Sequence, residues 1–185
     1  MADLNTREKL ILAGMEEIRL HGIQGFSLRR AAKSCGVSCA APYKHFSDKE
    51  EIFSAMVSYV NEKWHSRLKE KLIVSSRSVE NVIADTAVDY VDFLCSNPHF
   101  RSVLMIKETG LDSPISIQSV GLSIPVKRLF VIYGRKKGLD GAELRSRIFM
   151  IRSLIYGATI ILGSDPAMRE AKGDALRRAI LAELK

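Results

Sequence analysis

The sequence predicts an all-α protein: a small three-helix headpiece joined by a long helix to a larger helical body. Three observations carry that reading. Apolar residues recur at helical spacing, as Leu10, Ile11, Met15 and Ile18 do near the start and Ile52, Phe53, Met56, Val60 and Trp64 do later. Helix-start patterns stand ahead of such stretches at Ser27, at Ser47-Asp48-Lys49-Glu50 and at Asp140 to Glu143. Stop signals follow them at Gly22, Gly36, Gly138 and Gly163. No internal repeat or low-complexity tract interrupts the pattern.

Composition narrows the class. A chain of 185 residues with 46% hydrophobic content can bury a real core. The net charge of +7 favours polyanionic partners. That excess is not concentrated at the amino end: residues 1–50 carry 8 basic and 6 acidic side chains, residues 134–185 carry 11 and 6. Charge alone therefore does not locate a nucleic-acid surface. Three cysteines without paired spacing point to a reducing compartment rather than a disulfide scaffold. The first residues hold no basic segment leading into an apolar stretch, so no signal peptide is expected. The longest uncharged runs, Ser113 to Val126 and Ser153 to Ser164, fall short of the roughly 20 residues that cross a bilayer. A cytoplasmic protein with no membrane partner is the expectation.

The first helix should start at Asn5 or Thr6 and run to about Leu20. Leu10, Ile11, Gly14, Met15 and Ile18 form its inner stripe, with Arg7, Glu8, Glu16 and Glu17 outside. Phe26 should then pack beneath it. From Ser27 to Lys49 the chain reads as two short helices around a tight turn. Ser27 caps the first, Leu28, Ala31, Ala32 and Cys35 share a face, and Gly36 ends it. Val37 fills the angle, and Ser38 caps a second helix over Cys39 to Phe46. Small residues at Ala31 and Ala32 let the two helices cross closely. This is the anatomy of a helix-turn-helix, whose second helix enters a DNA major groove.

On that placement Tyr43, Lys44 and His45 reach phosphates, and Lys49 sits beside the backbone. Ser38, Cys39 and Ala40 face the groove floor, where a small residue can meet a thymine methyl. Ser27 completes the DNA-facing set. Cys39, at a helix start among basic residues, could also serve as a redox switch; a small groove-facing residue is the favoured account.

Val37-Ser38, Tyr43-Lys44-His45-Phe46 and Lys49-Glu50 resemble the DNA-binding signature of the tetracycline-repressor (TetR) family. The likeness extends upstream through Gly22, Phe26 and Ser27-Leu28 and downstream through Ile52, Phe53 and Ala55. It covers roughly the first third of the chain at closely fixed spacing. Two departures from it matter. Ala40-Ala41-Pro42 stands where members often carry Gly-Thr-Leu or a similar run, and Cys39 stands where a lysine or other polar residue is common. The resemblance implies a DNA-binding domain over 1–50 and an effector-binding and dimerisation domain over 51–185.

The long helix, from Asp48 to about Lys71, starts in the headpiece and ends in the body, as a mechanical link would. Further helices are expected from Val79 to about Cys95, from His99 to Lys107 after the Asn97-Pro98 restart, and from about Val126 to Lys137. Glu108 to Pro125, rich in Gly, Ser and Pro yet apolar, reads as a pocket wall or lid. The last two helices should span about 141–163 and about 172–184, separated by a break at Ser164-Asp165-Pro166. Apolar residues surround Ile148 to Leu162, so both sides of that helix should be covered, and Gly157 and Ala158 would admit a close partner.

The resemblance further implies that the final two helices pair across a twofold axis, with Ile148, Ile151, Ile155, Ala158, Leu162, Leu176 and Ile180 as the expected interface. It also implies a cavity for an apolar or aromatic effector, for which Tyr90, Phe93, Met105, Phe130, Tyr133, Phe149 and Tyr156 are the candidate walls. The function it implies is a ligand-responsive transcriptional repressor: a homodimer on a palindromic double-stranded DNA operator, released by an unidentified small molecule. No catalytic residue, cofactor or metal is expected. The competing class is a helical-bundle enzyme or a metal- or redox-binding protein. Its one supporting pattern is Glu62-x-x-His65, and a di-iron bundle needs two such pairs plus two further Glu residues.

Overall fold

The computed structural model describes residues 5–72, 77–102, 124–163 and 165–185. Among them there are eight α-helices, one 3-10 turn and no strand. The all-α expectation holds. The chain divides into two compact units. Of the described residues, the first holds 5–63 and 98–102, and the second holds the rest from Trp64 on.

In the first unit, α1 spans Thr6–His21. Asn5 caps it: its side chain accepts the Glu8 N–H at 2.9 Å while the Glu8 carboxylate takes the Asn5 N–H. Gly22 closes it with a positive φ of 67°. The inner stripe is buried as expected, but Glu17 is buried with it. The reason is tertiary: Arg30, on the next helix, reaches across and donates Nε–H to the Glu17 carboxylate at 2.7 Å. A carboxylate supplied with its own cation can leave water.

Helix α2 spans Leu28–Ser34, followed by the 3-10 turn Pro42–Lys44 and by α3, Lys49–Leu72. Where α1 meets α3 the packing is close at Gly14: a Cβ there would make the terminal methyl of Met56 move aside. Phe26 lies edge-on against Phe53 of α3, ring centroids 5.0 Å apart. The cap of α3 falls one residue later than the sequence pattern places it. Asp48 accepts the Glu51 N–H at 2.7 Å, and Glu51 reaches back to the Ser47 N–H at 2.6 Å. Helix α5, Pro98–Ser102, packs on α1, where the Ser102 hydroxyl donates to the Met15 carbonyl at 3.0 Å.

Helix α3 supplies its residues from Trp64 on to the second unit. The remaining helices there are α4 (Val79–Ser96), α6 (Ile124–Lys137), α7 (Gly141–Leu162) and α8 (Pro166–Glu183). Helix α4 is central and touches α6, α7 and α8. Asp140 caps α7 in a box with Glu143, as the sequence indicates. The last helix begins well ahead of the expected residue 172. Pro166 starts it rather than breaking the chain, because Asp165 accepts the N–H groups of Ala167 and Met168, and proline at the first helical position forgoes no bond. Ion pairs stitch this unit: Arg177 and Arg77 both hold Asp85, and Arg67 and Arg169 both hold Asp92. The expected lid at 108–125 and the end of the His99 to Lys107 helix lie outside the described residues, apart from the first two residues of α6.

Candidate nucleic-acid interface

Ala31 and Ala32 are fully buried, which lets α2 lie close against its neighbours. Ser27 caps α2 by accepting the Arg30 N–H, Gly36 turns with φ 74°, and the Val37 N–H returns to the Ala32 carbonyl at 3.1 Å. The reading element that follows is shorter than the expected Cys39 to Phe46 helix. Pro42 has no N–H to offer Ser38, so the α-helical bond that would open the element is missing. The chain winds instead by tighter bonds: Ala41 N–H to Ser38 O, Lys44 N–H to Ala41 O and His45 N–H to Pro42 O, at 2.9 to 3.1 Å.

That turn sorts its side chains by side. Pro42 and Phe46 are buried, the latter under the Arg7 guanidinium at 5.3 Å. Tyr43, 60% exposed, and Lys44 point outward, together with Ser38, Cys39 and Ala40, while His45 is half-buried. Lys49 lies differently. Its ammonium folds back over the rings of Phe53 and Phe26, at 5.3 and 5.6 Å, and donates to the Ile23 carbonyl. Two basic residues missed in the sequence, Arg29 and Lys33, are exposed on α2. Their spacing of four puts them on one helical face, opposite the buried alanines, and that was the signal available.

The sequence profile of bacterial regulatory proteins of the tetR family matches residues 10–56, the span of this arrangement. That segment, about a quarter of the chain, carries the sequence pattern of the tetR-family regulatory domain. Across 100 residues it is 30% identical to the nucleoid occlusion factor SlmA of Haemophilus influenzae, a match covering 51% of this chain and 45% of that protein. The chain thus spans about half the length of the curated relatives it matches. Among solved structures, a TetR family transcription regulator from Marinobacter aquaeolei superposes with a TM-score of 0.74 at 18% identity, over 96% of this chain and 94% of that one. The fatty acid degradation regulator FadR from Bacillus halodurans does so with 0.66 at 13% identity, over 98% and 97%. At such identities these likenesses speak for the tetR-family fold alone.

The second unit holds most of the residues expected at an effector pocket and a dimer interface. Tyr90 and Phe93 come together around Trp64, with ring centroids 4.8 and 5.5 Å from the indole. All three are buried, yet among the described residues the Trp64 indole N–H and the Tyr90 hydroxyl have no hydrogen-bond partner. Each such group costs about 1–3 kcal/mol. Burial pushes the Tyr90 hydroxyl well above its usual pKa; Tyr156 adds to the shift and Arg152 opposes it. Arg152 donates to the Tyr156 hydroxyl at 2.9 Å. Phe130 and Tyr133 are buried on α6, and Met105 lies outside the described residues. Phe149 is 67% exposed, so within one chain it walls no cavity.

The residues expected at a dimer interface mostly face inward. Ile151, Leu162 and Ile180 are buried in the chain's own core, Ile155, Ala158 and Leu176 pack against the cluster of Val91, Cys95 and Leu162, and Ile148 is half-buried. What α7 turns outward is Phe149, Met150, Ile160 and Ile161, the last two 71% and 74% exposed. No helix among the described residues is long and apolar enough to cross a membrane.

Proposed function

We propose that the protein is a dimeric transcriptional regulator that reads DNA through residues 1–50 and responds to a small molecule through residues 51–185. The observation that carries the reading is the outward presentation of Tyr43 and Lys44 on a proline-started turn, directly after the tightly packed α2 of a tetR-family segment. Exposed Ser38, Cys39 and Ala40 are the base-facing candidates. Tyr43, Lys44 and His45 are the phosphate-facing ones, and Arg29 and Lys33 join them. Lys49 braces the headpiece rather than contacting the backbone. The protein works in the cytoplasm by binding, not catalysis.

Dimerisation is supported by the outer face of α7. Phe149, Ser153, Gly157 and Ile160 with Ile161 recur along one side of the helix, large at both ends and small between them. A Cβ at Gly157 would meet nothing within 4 Å, so a second helix has room to approach. A self-complementary patch of this kind suits a twofold pair. Two headpieces would then occupy successive major grooves about 34–36 Å apart on a palindromic operator. An effector represses binding only insofar as it favours the arrangement that misfits the operator.

Selection of bound sequences from random DNA, followed by gel-shift titration, tests the reading. Lys44→Ala should weaken binding to every sequence and lower the salt slope by about one. An unchanged titration for Lys44→Ala and Tyr43→Ala together would overturn it.

A further inference from the structure

We propose that the aromatic cluster around Trp64 and Tyr90 is the effector site, and that its ligand is an aromatic carboxylate. The assignment rests on the ligand-responsive reading above and gives it a chemistry. Three features of the second unit converge on it.

The first is polarity. Trp64 Nε1 can only donate a hydrogen bond, and Tyr90, almost wholly buried, carries an unpartnered hydroxyl among the described residues. A ligand that relieves both must bring acceptors. The second is charge. Arg152 donates to Tyr156 and lies near enough for its charge to act on the Tyr90 hydroxyl; it is half-buried and has no acidic partner among the described residues. Its guanidinium lies 5.5 Å from the Tyr156 ring centroid. Neutral donors beside an uncompensated cation favour an anion over a neutral acceptor. The third is shape. Trp64, Tyr90 and Phe93 pack ring on ring, with centroids 4.8, 5.5 and 6.3 Å apart, so a body admitted beside them would meet aromatic surface, which suits a flat apolar group. The groove between α4 and α8 offers the opposite case, since its Arg77, Arg169 and Arg177 already hold Asp85 and Asp92.

Trp64 is the one tryptophan of the chain, so indole fluorescence reports this cluster alone. The full chain is titrated with trans-cinnamate, benzoate and cyclohexanecarboxylate, and with cinnamyl alcohol as the uncharged counterpart. Cinnamate should give a saturable change and bind at least about tenfold more tightly than the alcohol, as expected for hydrogen bonds to a charged group. Arg152→Gln should erase that preference. Tyr90→Phe should weaken cinnamate by about tenfold, yet melt no lower than the parent without ligand, because it deletes an unpartnered hydroxyl and keeps the ring. Equal binding of acid and alcohol, an unaffected Tyr90→Phe, a clearly destabilised Tyr90→Phe, or no saturable response to any of the carboxylates would each overturn the assignment. Gel shifts run in parallel separate it from the broader reading. Cinnamate bound without release of DNA would overturn the effector role and leave the ligand chemistry standing. Intact DNA binding with no carboxylate response would do the reverse.

Discussion

In the first unit, the buried Glu17 carboxylate meets Arg30, the Ser102 hydroxyl meets the Met15 carbonyl, and the side chains on the reading turn that face water are Tyr43 and Lys44. In the second unit, Trp64 and Tyr90 hold buried donors without acceptors among the described residues, and α7 turns Phe149, Ile160 and Ile161 toward solvent. The headpiece is thus internally satisfied, with its working groups on the outside. The second unit has unmet polarity inside and unmet apolar surface outside. On the reading proposed above, a ligand would answer the donors and a second chain the outer face.

That contrast can be broken most directly on α7. Each fully buried aliphatic side chain is worth about 1.5–3 kcal/mol. Ile160→Asp combined with Ile161→Asp should therefore raise the dimer dissociation constant about a thousandfold or more, at about 1.4 kcal/mol per tenfold. Light scattering at micromolar concentration should then give half the parent mass; an unchanged mass would remove the outer face from the interface. Ile151→Ala, on the inner face, should instead lower the stability of the second unit by about 2–5 kcal/mol with the mass unaltered.

Ala32→Leu sharpens the contrast from the other side. Overpacking the fully buried Ala32 site should cost the headpiece about 1–3 kcal/mol. DNA binding should fall while the Trp64 fluorescence titration stays the same. Asn5→Ala, which removes a cap acceptor from α1, should cost about 1 kcal/mol, seen as faster hydrogen exchange in α1 and not in α7.

The smallest effects concern pH. Burial holds His99 of the first unit below its ordinary value of 6.5, against the pull of Glu16. Its neutral form is the folded one, so its contribution is complete above that value and fades as pH falls below it. Glu51 in the first unit and Asp140 in the second are held below their ordinary 4.5 and 3.8 by the backbone N–H groups they cap. Their contribution is present above those values and disappears only in stronger acid. Hydrogen exchange across mildly acidic pH should therefore loosen α1 and α5 before α7, and His99→Gln should abolish that head start.

Much of this was legible in the residues. Asn5, Ser27, Asp140 and the glycines at 22, 36, 138 and 163 announce helix ends because caps act through bonds within one turn, which spacing alone specifies. The reading turn was legible in position but not in form: a helix over Cys39 to Phe46 is the expectation, and the missing N–H of Pro42 in so short a segment leaves a single 3-10 turn. Glu17 lies inside where the helical pattern predicts it outside, and the fold-back of Lys49 and the buried stripe of α7 share its reason. Which face of a helix is inside, and which long charged side chain folds back, depends on a neighbour distant in sequence. Helix α7 shows it best, since apolar residues nearly all round give no periodic clue to which stripe meets α4 and α8.

The chain by itself determined the helices and the helix-turn-helix, whose residues carry the likeness to the tetR-family domain, because these rest on local hydrogen bonding and short apolar periods. Only the tertiary structure decided that Arg30 covers Glu17, that Trp64 and Tyr90 keep unmatched donors in one aromatic cluster, and that Ile160 rather than Ile151 faces outward. Each of those outcomes is set by contact between segments far apart along the backbone, where burial and pairing are properties of the packed assembly and not of any one stretch.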